Sequence, residues 1–305
     1  MRRYRFYQID VFTNRRLAGN ALAVFPDAAG LDAADMQALA REMNLSETTF
    51  VFASDRATRH VRFFTPTAEI PLAGHPTIGT WWTLAERGNV DLPRDGVTQV
   101  TQETGAGVLP VSIRTAGGQP TNVIMVQAVP QFGPTVADVG TLGTMLGGGP
   151  DLVAGEPPPQ VVSTALPQLM VPARSLEALA ALPSGGRGSD LATFLRTLGT
   201  DCAMCFTRET RAPDAKVHCR MFAPGLGVPE DPATGSAAGA LGAYMVRHRL
   251  VTATDRTASI VVEQGLEIGR PSRIDVEVDV APGGDIAEVR VGGQAITVIE
   301  GEVTL

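Results

Sequence analysis

Three parts of this chain have residue types suited to moving a proton. Glu47, in EMNLSETTFVF, falls where a helix should end near Asn44 and a strand begin at Thr48. Its neighbours are apolar or hydroxylic and none is a lysine, a setting that raises a carboxyl pKa. A carboxyl raised in this way can act as a general base near pH 7. The plainer reading is a solvated glutamate at a junction. His75 is one of only four histidines and sits on a Gly-Pro step where a helix should start. A helix dipole there depresses an imidazole pKa; the alternative is a satisfied structural histidine. His60, His218 and His248 have strand or helix-end settings. The third part is a pair of helix starts, Gly74-His75 and Gly235-Ser236. Helix N-termini carry unpaired N–H groups and a partial positive charge, which suits a small carboxylate held between two of them. Equally, the glycines could serve close packing alone, and Asp231 could be a plain N-cap.

The elements that must position these residues are written twice. RFFTPTAEIPLAGHPTIGTWW (62–82) and RMFAPGLGVPEDPATGSAAGA (220–240) share Arg-x-Phe-x-Pro and a second proline. Arg62, Phe64, Pro66 and Pro71 match Arg220, Phe222, Pro224 and Pro229 at a constant offset of 158 residues. With two residues dropped, Pro76 and Gly79 line up with Pro232 and Gly235. A period of half the chain is too long for a solenoid and predicts two similar domains related by a pseudo-twofold axis. Pro76 and Pro232 are placed at the first helical position, with Asp231 as the second N-cap and Gly88 ending the first helix. Neither helix has a polar stripe over its first three turns, which predicts buried helices.

Short β-rich segments surround them, among them YQIDVF, TTFVFA, VRFFT, CAMCF, VHCRMF, ASIVVEQG and IDVEVDV. Two more helices are expected, after Asp32 and around SLEALAAL, and the Gly/Pro-rich passage 134–159 reads as loop. The expected fold is α+β: two pseudo-symmetric domains, each a curled, mostly antiparallel sheet or barrel around a central helix. The halves are 1–118 and 119–289, with a C-terminal strand near 290–305 that can cross over to the first.

Composition narrows the function. A hydrophobic fraction of 44% and a charged fraction of 19% describe a globular protein with a core. A formal charge of −7 argues against a nucleic-acid partner. No apolar run approaches the roughly 20 residues of a membrane span and the N-terminus shows no secretory pattern. A cytoplasmic location without a membrane partner is expected. Cys202-x-x-Cys205 and His218-Cys219 have a superficial zinc-ligand spacing. On strands, residues three apart or adjacent point to opposite faces, so core cysteine is the favoured reading over metal or redox. No metal is expected.

The phrases DVFTNRRLAGNALAVF, NLSETTFVF, RFFTPTAEIPLAGHPTIGT and RMFAPGLGVPEDPATGSAAGAL resemble the phenazine-biosynthesis PhzF-like family from near the N-terminus to at least residue 245. The resemblance implies the diaminopimelate epimerase fold, in agreement with the duplication. It also implies cofactor-free isomerisation of a small carboxylic acid, and homodimers. By the same resemblance Glu47 moves a proton between carbons of a substrate such as trans-2,3-dihydro-3-hydroxyanthranilate. His75 and Asp231 are its catalytic companions, while Gly74, Gly235, Ser236 and Asn20 (from the first phrase) bind substrate. Epimerases of this fold set one cysteine at each helix start. Here those starts read AGHP and ATGS, which argues against two-thiol racemisation and for a single base on one face. A lyase or dehydratase reaction at the same site, and a non-catalytic acid-binding protein, are the alternatives. A binder, however, needs no base.

Overall fold

The computed structural model describes residues 1–305. The chain divides into two compact units, Met1–Met125 with Gly292–Leu305, and Val126–Val291.

The first unit contains β1 (Arg3–Val11), β2 (Asn20–Phe25), α1 (Ala33–Met43), β3 (Glu47–Phe52), β4 (Arg59–Phe64) and β5 (Glu69–Ile70). After these come α2 (Gly74–Glu86), β6 (Gly96–Thr104), β7 (Gly107–Ala116) and β8 (Gln119–Val126). The second unit contains β9 (Gln131–Thr135), α3 (Val139–Met145), β10 (Gln160–Ser163), β11 (Pro167–Pro172), α4 (Leu176–Ala180) and α5 (Ser189–Thr197). It continues with β12 (Ala203–Thr207), β13 (Val217–Ala223), β14 (Val228–Asp231), α6 (Gly235–Arg247), β15 (Thr257–Gln264), β16 (Ser272–Val280) and β17 (Ile286–Gly293). Finally β18 (Ala295–Thr304) pairs antiparallel with β1 and so belongs to the first unit.

Strand pairing reveals the duplication. In the first unit β1–β2 is antiparallel, β2–β3 parallel, β3–β4 antiparallel, β4–β6 parallel and β6–β7 antiparallel. The second unit repeats the same senses from β10–β11 through β15–β16. The register repeats as well: Phe50 faces Arg62 as Cys205 faces Arg220. His60 faces Glu103 as His218 faces Glu263.

The prolines, however, align differently from the expectation. Instead of losing two residues, the second copy gains three between its arginine and the strand that follows. They form a 3₁₀ turn at Pro224–Leu226, closed by Gly227 at φ 77°. From there the equivalences are Glu69 with Glu230, Pro71 with Pro232, and Gly74 with Gly235. Pro76 is the third residue of α2, whereas Pro232 lies ahead of α6, whose N-cap is Thr234. Any of the first helical positions tolerates proline, because the N–H groups there have no intrahelical partner. A proline near a helix start therefore does not fix the first residue. Nor does Asp231 cap α6: it ends β14, and its carboxylate accepts the Thr234 hydroxyl.

The two central helices are buried as their composition demands. Every residue of α2 from His75 to Ala85 is buried, against β1, β2, β3, β7 and β18. Its threonines are accommodated because Thr77 and Thr83 donate to the carbonyls of Ala73 and Gly79, while Thr80 pairs with Thr49. Helix α6 packs on β10, β11, β15 and β16 through its alanine and glycine faces. A Cβ at Gly242 would come within 2.6 Å of Val276, so only glycine permits this approach.

Helices α1 and α4 match the two further expectations, capped by Asp32 and Ser175. The passage 134–159 is not all loop. It contains α3, whose N-cap Asp138 accepts from Thr141. Leu142 and Leu146 join Leu179 of α4 and Leu191 and Leu195 of α5 in one apolar cluster. No helix is long and apolar enough to cross a membrane.

Candidate active site

The first unit brings Glu47 and His75 together. The strand β3 opens at Glu47, directly after α1 ends with Asn44 in the left-handed conformation. After the β3–β4 hairpin and β5, the chain enters α2 with Gly74 and His75 as its first two helical residues. His75 Nε2 lies 3.3 Å from Glu47 Oε2, with the two side chains 9% and 19% exposed. Asn20 is buried at the start of β2, paired with Val11, and β2 runs parallel to β3 with Leu22 opposite Glu47.

Burial sets the charge of His75. It pulls the imidazole from its ordinary 6.5 down to about 3. A carboxylate 3.3 Å away works against that pull, but burial is the larger influence, so His75 is neutral at pH 7. A neutral imidazole beside a carboxyl can exchange or share a proton, which a fixed ion pair does less readily.

A pH dependence follows from this. The unfolded chain takes up a proton at His75 below about 6.5 and the folded chain does not until about 3. The resulting penalty is absent above 6.5 and grows as pH falls through that window. From His75 alone, stability should be about 2 kcal/mol lower at pH 5 than at pH 7. Urea unfolding at both values should show that share missing from His75→Asn. Equal pH slopes in the two proteins would refute a buried neutral histidine.

The second unit sets Asp231, Gly235 and Ser236 around the start of α6. Gly235 and Ser236 are its first two residues, as Gly74 and His75 are in α2. Neither central helix has a side-chain cap on its N-terminus, whereas α1, α3 and α4 do. Buried helix starts that lack caps are well disposed to an anion.

Gln264, which sequence reasoning passed over, braces this turn. It is fully buried, donates to the Asp231 carbonyl at 2.7 Å and to Thr234 Oγ1 at 3.1 Å, and accepts from the Thr234 N–H at 3.3 Å. Its place at the end of a strand carried no motif; only the fold sets it beside residue 231.

The cysteines are all buried and free. Burial pushes the thiols of Cys202 and Cys205 up to about 12 and that of Cys219 well above its ordinary value. The register gives Cys202 a further meaning, since it occupies in the second unit the position that Glu47 holds in the first.

The chain resembles known proteins along its whole length. The profile of the family described as "Phenazine biosynthesis-like protein" matches residues 9–301. An uncharacterised isomerase of Clostridium acetobutylicum is 36% identical over 312 aligned positions, covering 100% of this chain and 99% of the relative. The trans-2,3-dihydro-3-hydroxyanthranilate isomerase of Pseudomonas aeruginosa is 34% identical over 309, covering 99% and 100%. The crystal structure of a PhzF-family phenazine biosynthesis protein from Bacillus anthracis superposes with a TM-score of 0.91 at 29% identity, over 100% of both chains. By motif, topology and whole-length similarity, this chain belongs to the phenazine biosynthesis-like PhzC-PhzF family and is an isomerase.

Proposed function

We propose that this isomerase moves a single proton between carbons of a small unsaturated carboxylic acid, in the manner of a trans-2,3-dihydro-3-hydroxyanthranilate isomerase, without a cofactor. The observation that carries this reading is the Glu47–His75 pair, 3.3 Å apart at the start of an uncapped, buried helix. Glu47 takes the proton from carbon and returns it to another carbon. His75, held neutral, accepts or donates at the substrate's amine or hydroxyl. Asp231, braced by Gln264 and Thr234, shares that proton traffic. Gly74, Gly235 and Ser236 supply helix-start N–H groups for the carboxylate, and Asn20 orients the substrate.

The duplication supports a one-sided reaction. Where the first unit has Glu47 and His75, the second has Cys202 and Ser236. A thiol pushed up to about 12 by burial is no base at neutral pH. One base serves isomerisation, whereas inversion at a carbon needs a second.

The enzyme is proposed to work as a homodimer in the cytoplasm. Thermal stabilisation against a panel of small cyclic and amino acids, with proton NMR in D2O on each hit, tests the function. The expected result is a double-bond shift with configuration kept. Racemisation of a chiral amino acid would overturn the reading.

A further inference from the structure

The His75 ring is not fixed by a hydrogen bond to Glu47. Its Nε2 is buried and makes no hydrogen bond, Glu47 Oε2 at 3.3 Å being close but not aligned for one. The backbone of the first turn of α2 therefore decides where the ring sits. That turn has Ala73 as its N-cap and no side-chain cap, and an uncapped helix end frays unless something else holds it.

Three fully buried side chains hold it. Trp81 Nε1 donates to Gln102 Oε1 at 3.0 Å, and Gln102 Nε2 donates to Thr77 Oγ1 at 3.1 Å. The Thr77 hydroxyl then donates to the Ala73 carbonyl at 2.8 Å, beside the Thr77 N–H at 3.3 Å. The direction of these bonds is forced. An indole N–H can only donate, so it takes the amide oxygen and turns the amide nitrogen towards Thr77. A hydroxyl that accepts there has its own proton left for Ala73. A threonine bonding back one turn is ordinary in a helix, and Thr83 does so to Gly79. Thr77 differs in being held from behind by Gln102.

The second unit has none of these residues at the equivalent places. Thr77, Trp81 and Gln102 correspond to Ala238, Gly242 and Val262. That unit holds its helix start from another strand position, through Gln264 on Thr234. The Trp81–Gln102–Thr77 brace is confined to the unit that carries His75.

We propose that Gln102, acting through Thr77, is a positioning residue for the isomerase reaction, fixing the first turn of α2 so that His75 is presented to Glu47. The proposal rests on the roles given above to Glu47 and His75.

Three variants of the full-length protein test it. Thr77→Val removes the hydroxyl at nearly constant shape, Gln102→Leu removes the amide, and Thr77→Ser keeps the hydroxyl. In the Val and Leu variants, hydrogen exchange at the Thr77 amide should speed up at least about tenfold relative to the last turn of α2, by local opening. Their His75 imidazole should titrate nearer its ordinary 6.5 than the wild-type value of about 3, as water reaches it. With trans-2,3-dihydro-3-hydroxyanthranilate as the probe substrate, their kcat should fall about 10–10²-fold with KM within about twofold, the cost of a small misplacement. Thr77→Ser should match the wild type throughout. Unchanged exchange and titration in both the Val and Leu variants would overturn the proposal. So would an undiminished kcat where Thr77 exchange has risen. Exchange that rises equally along the whole of α2, with kcat lost only in step with the folded fraction, would make the brace a plain structural contact. Exchange and titration need no substrate, so a wild type that does not turn over the probe removes the proposed function alone.

Discussion

Glu47→Gln should lower turnover by about 10²–10⁴-fold while leaving substrate affinity nearly unchanged. The substitution keeps the shape of a side chain that sits 3.3 Å from His75 and removes only its basicity. A general base must be within reach of the carbon-bound proton and be able to hold it, and glutamine cannot. With a substrate identified by thermal stabilisation, the wild type run in D2O should carry deuterium at the product carbon. The Gln variant should give neither product nor wash-in. A KM unchanged beside a collapsed kcat assigns Glu47 to the chemical step. Near-normal turnover would instead transfer the chemistry to His75 or Asp231.

Arg220→Met should cost about 3–5 kcal/mol of stability, whereas Arg62→Met should cost less than about 1. The two arginines are repeats of each other, each in a bidentate pair with its own glutamate. They differ in surroundings. Arg220 and Glu230 are 3% and 2% exposed, while Arg62 and Glu69 are 25% and 43% exposed. Removing Arg220 strands a buried carboxylate and also leaves the carbonyls of Leu179, Ala180 and Leu182 without their donor. Removing Arg62 returns Glu69 to water. Denaturant midpoints of the two variants check this, and equal losses would mean that burial is not what separates the pairs.

Much of the architecture could be read from residue order. The absence of a polar stripe over the first three turns of 74–86 and 235–247 identified two buried helices, because an exposed face would need charges that appear only at their last residues, Glu86 and Arg247. The helices after Asp32 and Ser175 were legible from capping residues ahead of apolar periodicity. Helices α3 and α5 were not. They are short, set among glycines, and held by Leu142, Leu191 and Leu195 in a shared cluster, a stabilisation that local sequence does not display. The proline register also misled, since one proline lies inside its helix and the other outside, and the three-residue insertion at Pro224–Leu226 is invisible without strand pairing.

The sequence by itself determined that the chain is a duplication, that its two halves wrap buried helices, and which residue types stand at the helix starts. Those follow from local patterns, since burial on every side, turn chemistry and repeated spacing are written residue by residue. The charge each group carries was decided only by tertiary structure. His75 and His218 are both buried histidines, yet burial leaves the first neutral and Glu263 with Glu267 raise the second. Nothing near either residue in the chain separates them. Glu267 lies 49 positions from His218, and His75 is buried in a helix packed on β1, β2, β3, β7 and β18. A pKa reports the balance between lost water and gained partners, and the fold sets both.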